Sequence, residues 1–258
     1  MAATRPPFFS PSERDAPFPG LQPIPYHGGE AVLIGRAVEK RVHGDRMGQS
    51  HQPPHDCPLC PRLLEFRQKN CANHPGFFND PVPSFGSIDA PLLIVGLAPG
   101  LKGANRTGRP FTGDYAGELL YGSLKRHGLA RGEYRARADD GFQLVGVRIT
   151  NAVRCVPPDN KPLPVEINTC RRFLAAEIAA MPNLRAILAL GQIAHHSVIS
   201  LFALKKKDHA FAHGARHEHK SLTILGSYHC SRYNTSTGVL TEAMFDAVVA
   251  AAKTAAGL

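Results

Sequence analysis

Four short apolar runs, each followed by a segment with helical spacing, constrain this chain more than any other feature. Pro91-Leu92-Leu93-Ile94-Val95-Gly96-Leu97 ends at glycine and reads as a buried strand. Phe142 to Ile149, Leu184 to Leu190 and Leu222 to Leu225 read as three more. Residues 115–127 place Ala116, Leu119, Leu120 and Leu124 on one helical face. Residues 164–181 do the same with Ile167, Cys170, Leu174 and Ile178, behind Pro164. A third helix starts from Gly191, and Thr237 or Thr241 could cap a fourth. Strand–helix alternation predicts an α/β fold with a central four-stranded parallel sheet and helices on both faces. Ligands of such sheets bind at the carboxyl ends of the strands. Chemistry is therefore expected in Gly96–Gly117, Asn151–Asn160, Gly191–His196 and Gly226–Gly238.

The chain has 258 residues, enough for one such domain plus an extension. Seven prolines fall in the first 25 positions, so residues 1–50 read as a Pro-rich, poorly ordered extension and 51–258 as the folded domain. Lys and Arg total 30 against 21 acidic residues, a formal charge of +9, which points to a polyanionic partner. No apolar run approaches the roughly 18 residues of a membrane span. The N-terminus, Met1-Ala2-Ala3-Thr4-Arg5, lacks an export-signal pattern. The expected compartment is the cytoplasm, where six cysteines read as thiols or metal ligands and not disulfides.

Cys57-Pro58-Leu59-Cys60 is a C-x2-C pair, and Cys155 and Cys170 form a second, wider pair. Four thiolates from distant segments suit a structural zinc or a [4Fe–4S] cluster alike, and spacing does not choose between them. Cys170 also fits an apolar helix face, where a cysteine simply packs. Cys71 and Cys230 are left over.

The loop after the first strand runs Gly96-Leu97-Ala98-Pro99-Gly100, then Arg106-Thr107-Gly108-Arg109-Pro110-Phe111-Thr112-Gly113-Asp114. Its glycines allow close backbone approach to a ligand, and free N–H groups favour anions. It is neither a Walker A loop nor a dinucleotide fingerprint. Asp114 alone could be a helix N-terminal carboxylate and Phe111 alone could be core.

Four features together resemble the family 5 (UDGb-type) members of the uracil-DNA glycosylase superfamily. They are the GLAPG…RTGRPFTGD loop, the four cysteines, Thr150-Asn151-Ala152-Val153-Arg154-Cys155 through Pro162, and Gly226-Ser227-Tyr228-His229-Cys230-Ser231-Arg232-Tyr233-Asn234. The similarity runs from about Cys57 to the C-terminus. It implies a three-layer α/β/α sandwich and excision of uracil and other deaminated bases from DNA. It implies a structural [4Fe–4S] cluster, in preference to zinc, on Cys57, Cys60, Cys155 and Cys170. It implies Asp114, Asn160 and His229 as catalytic residues. A base site would form from Gly96, Leu97, Ala98, Gly100, Phe111 and Asn151, with Leu97 and Ala98 contributing no catalytic side chain. DNA contacts are implied for Arg106, Arg109, Ser231, Arg232, Tyr233 and Asn234, and Arg154 and Lys161 are expected on the same sheet edge.

The chemistry fits these residue types. A flipped base needs an aromatic face and a donor–acceptor partner for its edge, which Phe111 and Asn151 can supply. Cleavage leaves an anionic base and a cationic sugar, so His229 would face the first and Asp114 the second or a water. The expected partner is DNA, with no membrane and a monomeric chain. Two competing readings are a non-catalytic module that binds damaged DNA through a metal or cluster, and a nucleotide hydrolase, which the missing Walker motifs disfavour.

Overall fold

The computed structural model describes residues 51–258, and the expectation for residues 1–50 lies outside them. In chain order the elements are α1 (Pro61–Asn73), β1 (Leu92–Gly96), α2 (Ala104–Thr107), α3 (Tyr115–Arg126), β2 (Ala130–Arg131), β3 (Gln143–Leu144) and β4 (Val147–Asn151). They continue with a 3-10 turn (Pro158–Asn160), α4 (Pro164–Ala180), β5 (Ala186–Leu190), α5 (Gln192–Leu201), β6 (Arg216–His219), β7 (Leu222–Ser227), α6 (Arg232–Ser236) and α7 (Glu242–Ala256).

The main sheet has the order β4-β1-β5-β7-β6. The four expected strands are mutually parallel, and β6 adds an antiparallel edge to β7. The parallel four-stranded sheet is thus extended to a mixed five-stranded one. β6 escapes sequence reading because Arg216-His217-Glu218-His219 is polar throughout, as an edge strand can be. α1 was hidden for the same reason: of its residues only Leu63, Arg67 and Asn70 are buried. The expected strand Phe142–Ile149 divides at Gly146, whose φ is +68°. Residues before it pair with β2 in a small ribbon, and residues after it join the main sheet.

Alternation along the strands builds the three layers. Leu92 and Ile94 of β1 join Leu188 and Leu190 of β5 in one core, under α3 and α7. Leu93 and Val95 join Ile187 and Ala189 in the other, under α4 and α5. Strands buried on both faces read as continuous apolar runs, which is why the sequence exposes them. β1 lies between β4 and β5, so the chain reverses direction across it, and the crevice beyond its carboxyl end is the expected ligand position.

One buried group makes the fold sensitive to acid. His195 on α5 is fully buried, and neither ring nitrogen has a hydrogen-bond partner among the described residues. Burial, reinforced by His217, His196 and His209, lowers its pKa to about 4. The folded pKa lies below the ordinary value, so the unfolded chain takes up the proton first. The stability that depends on a neutral His195 is complete above about pH 6.5 and is lost as the pH falls toward 4. At pH 4.5 the loss should be roughly 2–3 kcal/mol. Denaturant titration of His195→Leu should show a shallower fall between pH 7 and pH 4.5 than the parent; parallel curves would contradict this account.

Candidate active site

Three loops leave the carboxyl ends of β1, β4 and β7 and enclose a cleft of about 510 Å³, within the range of small-molecule sites. Its walls include Leu97, Ala98, Gly100, Phe111, Asp114, Asn151, Asn160 and His229. Eight of the nine residues expected to be catalytic or to hold a base therefore line one cleft. The ninth, Gly96, lies directly behind it. A Cβ on Gly96 would collide with the Asn151 amide oxygen and the Phe111 ring, so glycine is what lets both side chains converge there.

Phe111 is buried and carries a left-handed backbone, with φ at +51°. Its ring stacks toward His229, with centroids 6.0 Å apart and planes at 27°. Asn151 ends β4, in register with Gly96 of β1, and is 4% exposed. Asp114 is the N-cap of α3, where Oδ1 accepts the Gly117 N–H at 3.2 Å. Its other oxygen, Oδ2, lies against the bare backbone of Gly103 and 3.4 Å from where a Cβ on the cleft residue Gly100 would stand. Asn160 Oδ1 lies 3.9 Å from the same point, so an acid and an amide converge beside a bare backbone. Asp159 and Asn160 both adopt positive φ, a conformation that Asp and Asn tolerate better than most residues.

His229 follows β7 and is half-buried at the cleft floor. Burial lowers its pKa, and the Asp114 charge opposes that only in part. The ring is therefore neutral at pH 7 and carries one N–H donor.

The residues expected at DNA divide into two groups. Arg106 is exposed, and its Nε donates to the Lys102 carbonyl at 2.8 Å. Arg232 is exposed at the cleft mouth, where its guanidinium lies 5.1 Å over the Tyr115 ring. Tyr233 is 74% exposed. Ser231 and Asn234 are turned inward to local duties: Ser231 caps α6, and Asn234 Nδ2 donates to the His229 carbonyl at 2.8 Å. They position the histidine loop, although Ser231 also lines the cleft.

Arg109 requires a correction. It is 4% exposed and makes a two-pronged ion pair with Asp140 at 2.7 and 2.8 Å. The rings of Phe85, Tyr121, Tyr134 and Phe142 surround it. No phosphate can reach a guanidinium so enclosed. Arg154 is likewise buried, bonded with Arg148 to the buried Glu177. Burial opposes the Glu177 charge, but Arg154 and Arg148 outweigh it and lower its pKa. Tyr115, which sequence reading did not single out, lines the cleft; its adjacency to Asp114 was the available signal.

Cys57, Cys60, Cys155 and Cys170 line a second, smaller pocket with Leu63, Val153 and Phe173. All four are free thiols. The first pair comes from the loop into α1, and the second from the β4–α4 loop and α4 itself. The Arg154 N–H points at Cys170 Sγ, 3.4 Å away. Arg67 of α1 fixes the other side, donating to the carbonyls of His55 and Cys57. Burial, then neighbouring Cys170, pushes Cys60 up to about 11. Burial pushes Cys155 up to about 12. Among the described residues no three His, Cys, Asp or Glu side chains are arranged to hold a single ion. Ala98 of the cleft packs against this same cysteine group. Cys71 is exposed on α1, and Cys230 is buried behind His229.

Among the described residues no helix is long and apolar enough to cross a membrane. The model of the uracil DNA glycosylase superfamily matches residues 83–253. A protein of Thermus thermophilus named type-5 uracil-DNA glycosylase is 44% identical over 208 residues, 78% of this chain and 94% of that one. The Mycobacterium leprae protein of the same name is 42% identical over 214 residues, 78% and 92% of the two chains. A type-4 uracil-DNA glycosylase of Pyrobaculum aerophilum is 35% identical over 136 residues, 52% of this chain and 61% of its own.

Proposed function

We propose a reaction from one premise: this chain belongs to the uracil DNA glycosylase superfamily, and within it to the type-5 uracil-DNA glycosylases. It is an enzyme that removes uracil from DNA by hydrolysing the N-glycosidic bond, leaving an abasic site for repair. The observation that carries the residue roles is the convergence of Asp114, Asn160 and His229 on one cleft with Phe111 and Asn151.

The nucleotide leaves the duplex and its base enters the cleft, stacking on Phe111. Asn151 reads the base edge, offering a donor and an acceptor. The bond from C1′ to the base nitrogen then breaks, and its electron pair goes to the base. The neutral His229 donates a hydrogen bond to the base oxygen where negative charge collects. Asp114 faces the positive sugar and takes a proton from the water that adds to C1′, while Asn160 holds that water. The cleft has room for more than a pyrimidine, and hypoxanthine and xanthine are further substrates. Arg106, Arg232 and Tyr233 contact the DNA around the flipped nucleotide.

Cys57, Cys60, Cys155 and Cys170 hold a [4Fe–4S] cluster that ties the first segment to the core. Four soft sulfur donors from separate segments line one pocket, a donor set that suits a cluster with a ligand at each corner. Bound cations would offset the cost of ionising three buried thiols and a half-buried one. Such thiols belong in the reducing cytoplasm.

The test is incubation with a uracil-containing duplex, followed by alkaline cleavage at abasic sites. His229→Ala should lower the single-turnover rate by about 10²–10³ while DNA affinity is kept. Binding without cleavage by iron-loaded parent protein would instead support a damaged-DNA-binding module.

A further inference from the structure

The loop that carries Phe111 and Asp114 is held from behind by a residue outside the cleft. Phe111 and Gly113 both have positive φ, +51° and +94°. A non-glycine residue in that region is strained and persists only where its surroundings over-determine it. Tyr121 Oη donates to the Pro110 carbonyl at 2.5 Å, and the Thr107 hydroxyl donates to the Thr112 carbonyl at 3.0 Å. The centre of the strained turn is held by Tyr134. Its hydroxyl accepts the Gly113 N–H at 3.3 Å and donates to the Phe111 carbonyl at 3.4 Å, so it bonds the backbone on either side of Thr112. The same oxygen presses on the first turn of α3, 2.6 Å from where a Gly117 Cβ would stand. It therefore sits where the Phe111 turn meets the helix that Asp114 caps.

Tyr134 is itself fixed. Its ring packs on Tyr121 at 4.8 Å and on Phe142 at 5.9 Å, and the Arg109 guanidinium lies 5.7 Å from it. Asp140 locks that guanidinium and also accepts the Arg135 and Phe142 N–H groups, 3.0 Å each. Burial pushes the Tyr134 phenol upward, so the hydroxyl keeps its proton to donate.

We propose that Tyr134 is a positioning residue for base excision: without touching the substrate, its hydroxyl sets the stance of the Phe111 ring and the Asp114 carboxylate. This rests on the roles given to those two residues above. Arg109 and Asp140 are the support of this latch.

The test is Tyr134→Phe, a one-atom deletion, in the cluster-loaded full chain. Single-turnover rates are measured on duplexes carrying uracil and 5-fluorouracil, with Tm and affinity for undamaged DNA. 5-Fluorouracil is the better leaving group and depends less on positioned catalytic groups. The expected result is about a ten-fold loss on uracil, a smaller loss on 5-fluorouracil, and unchanged Tm and affinity. Asp140→Asn, which loosens Arg109, should move the ratio of the two rates in the same direction. An unchanged ratio in both variants overturns the inference, including an equal loss on both substrates with a lowered Tm. A parent protein that leaves uracil in place would instead overturn the reaction itself.

Discussion

Asp114→Asn should lower the single-turnover rate of uracil excision by about 10²–10⁴ and leave the fold as it is. The side chain has two duties, and this substitution separates them. As N-cap, Asp114 accepts the Gly117 N–H through Oδ1, and asparagine caps a helix about as well as aspartate. In its proposed catalytic duty it acts through Oδ2, which lies near the bare backbone of Gly103 and Gly100, with Asn160 close by. An amide oxygen there neither takes a proton from water nor balances a positive sugar. Tm should therefore move by no more than ~2 °C, and binding to uracil-containing DNA should be retained. Asp114→Ala would lose the cap as well, typically ~1 kcal/mol, and would confuse the two effects. A variant within a few-fold of the parent would remove Asp114 from the mechanism and leave it a helix cap.

The parallel strands were legible because burial on both faces leaves no polar alternation to interpret: Leu92 to Val95 is apolar throughout. The same logic fails at β6, where His217 and His219 turn partly inward from an edge and nothing in the sequence separates that from a polar loop. The cleft residues were found because each follows a strand, and the topology of a parallel sheet gathers strand ends. Arg109 was misplaced because its loop is right and its direction is not. Whether an arginine meets phosphate or protein depends here on Asp140, thirty-one residues away on another segment. Tyr134 was invisible for the same reason, since its bonds are to backbone atoms and carry no residue-type signal.

Cys155→Ala should abolish iron binding and release the segment around Cys57 and Cys60 from the core. Those two cysteines lie in a segment also held by Arg67 to the His55 and Cys57 carbonyls, the Arg62–Glu166 and His55–Asp80 pairs, Arg154 to Gln52, and Leu63 packed beside Val153. Cys155 and Cys170 belong to the core side. A group bound by all four is a cross-link between segments about a hundred residues apart, and its binding free energy adds to folding. Losing one ligand would also leave the buried Cys57 and Cys170 and the half-buried Cys60 without the bound group proposed for them. The expected results are loss of iron and acid-labile sulfide, cleavage by protease near residues 51–60, and a fall in Tm of roughly 10 °C or more for the several kcal/mol lost. The cleft should feel it too. Ala98 packs on the cysteine group, and the Leu97 carbonyl accepts the Val153 N–H two residues before Cys155, so excision should slow even in protein that remains folded. Cys71→Ala is the matched control: an exposed thiol on α1, outside the pocket, whose loss should change neither iron nor Tm. Zinc in place of iron in anaerobically purified parent protein would overturn the cluster while keeping the ligands. Iron retained by Cys155→Ala would overturn the ligand set.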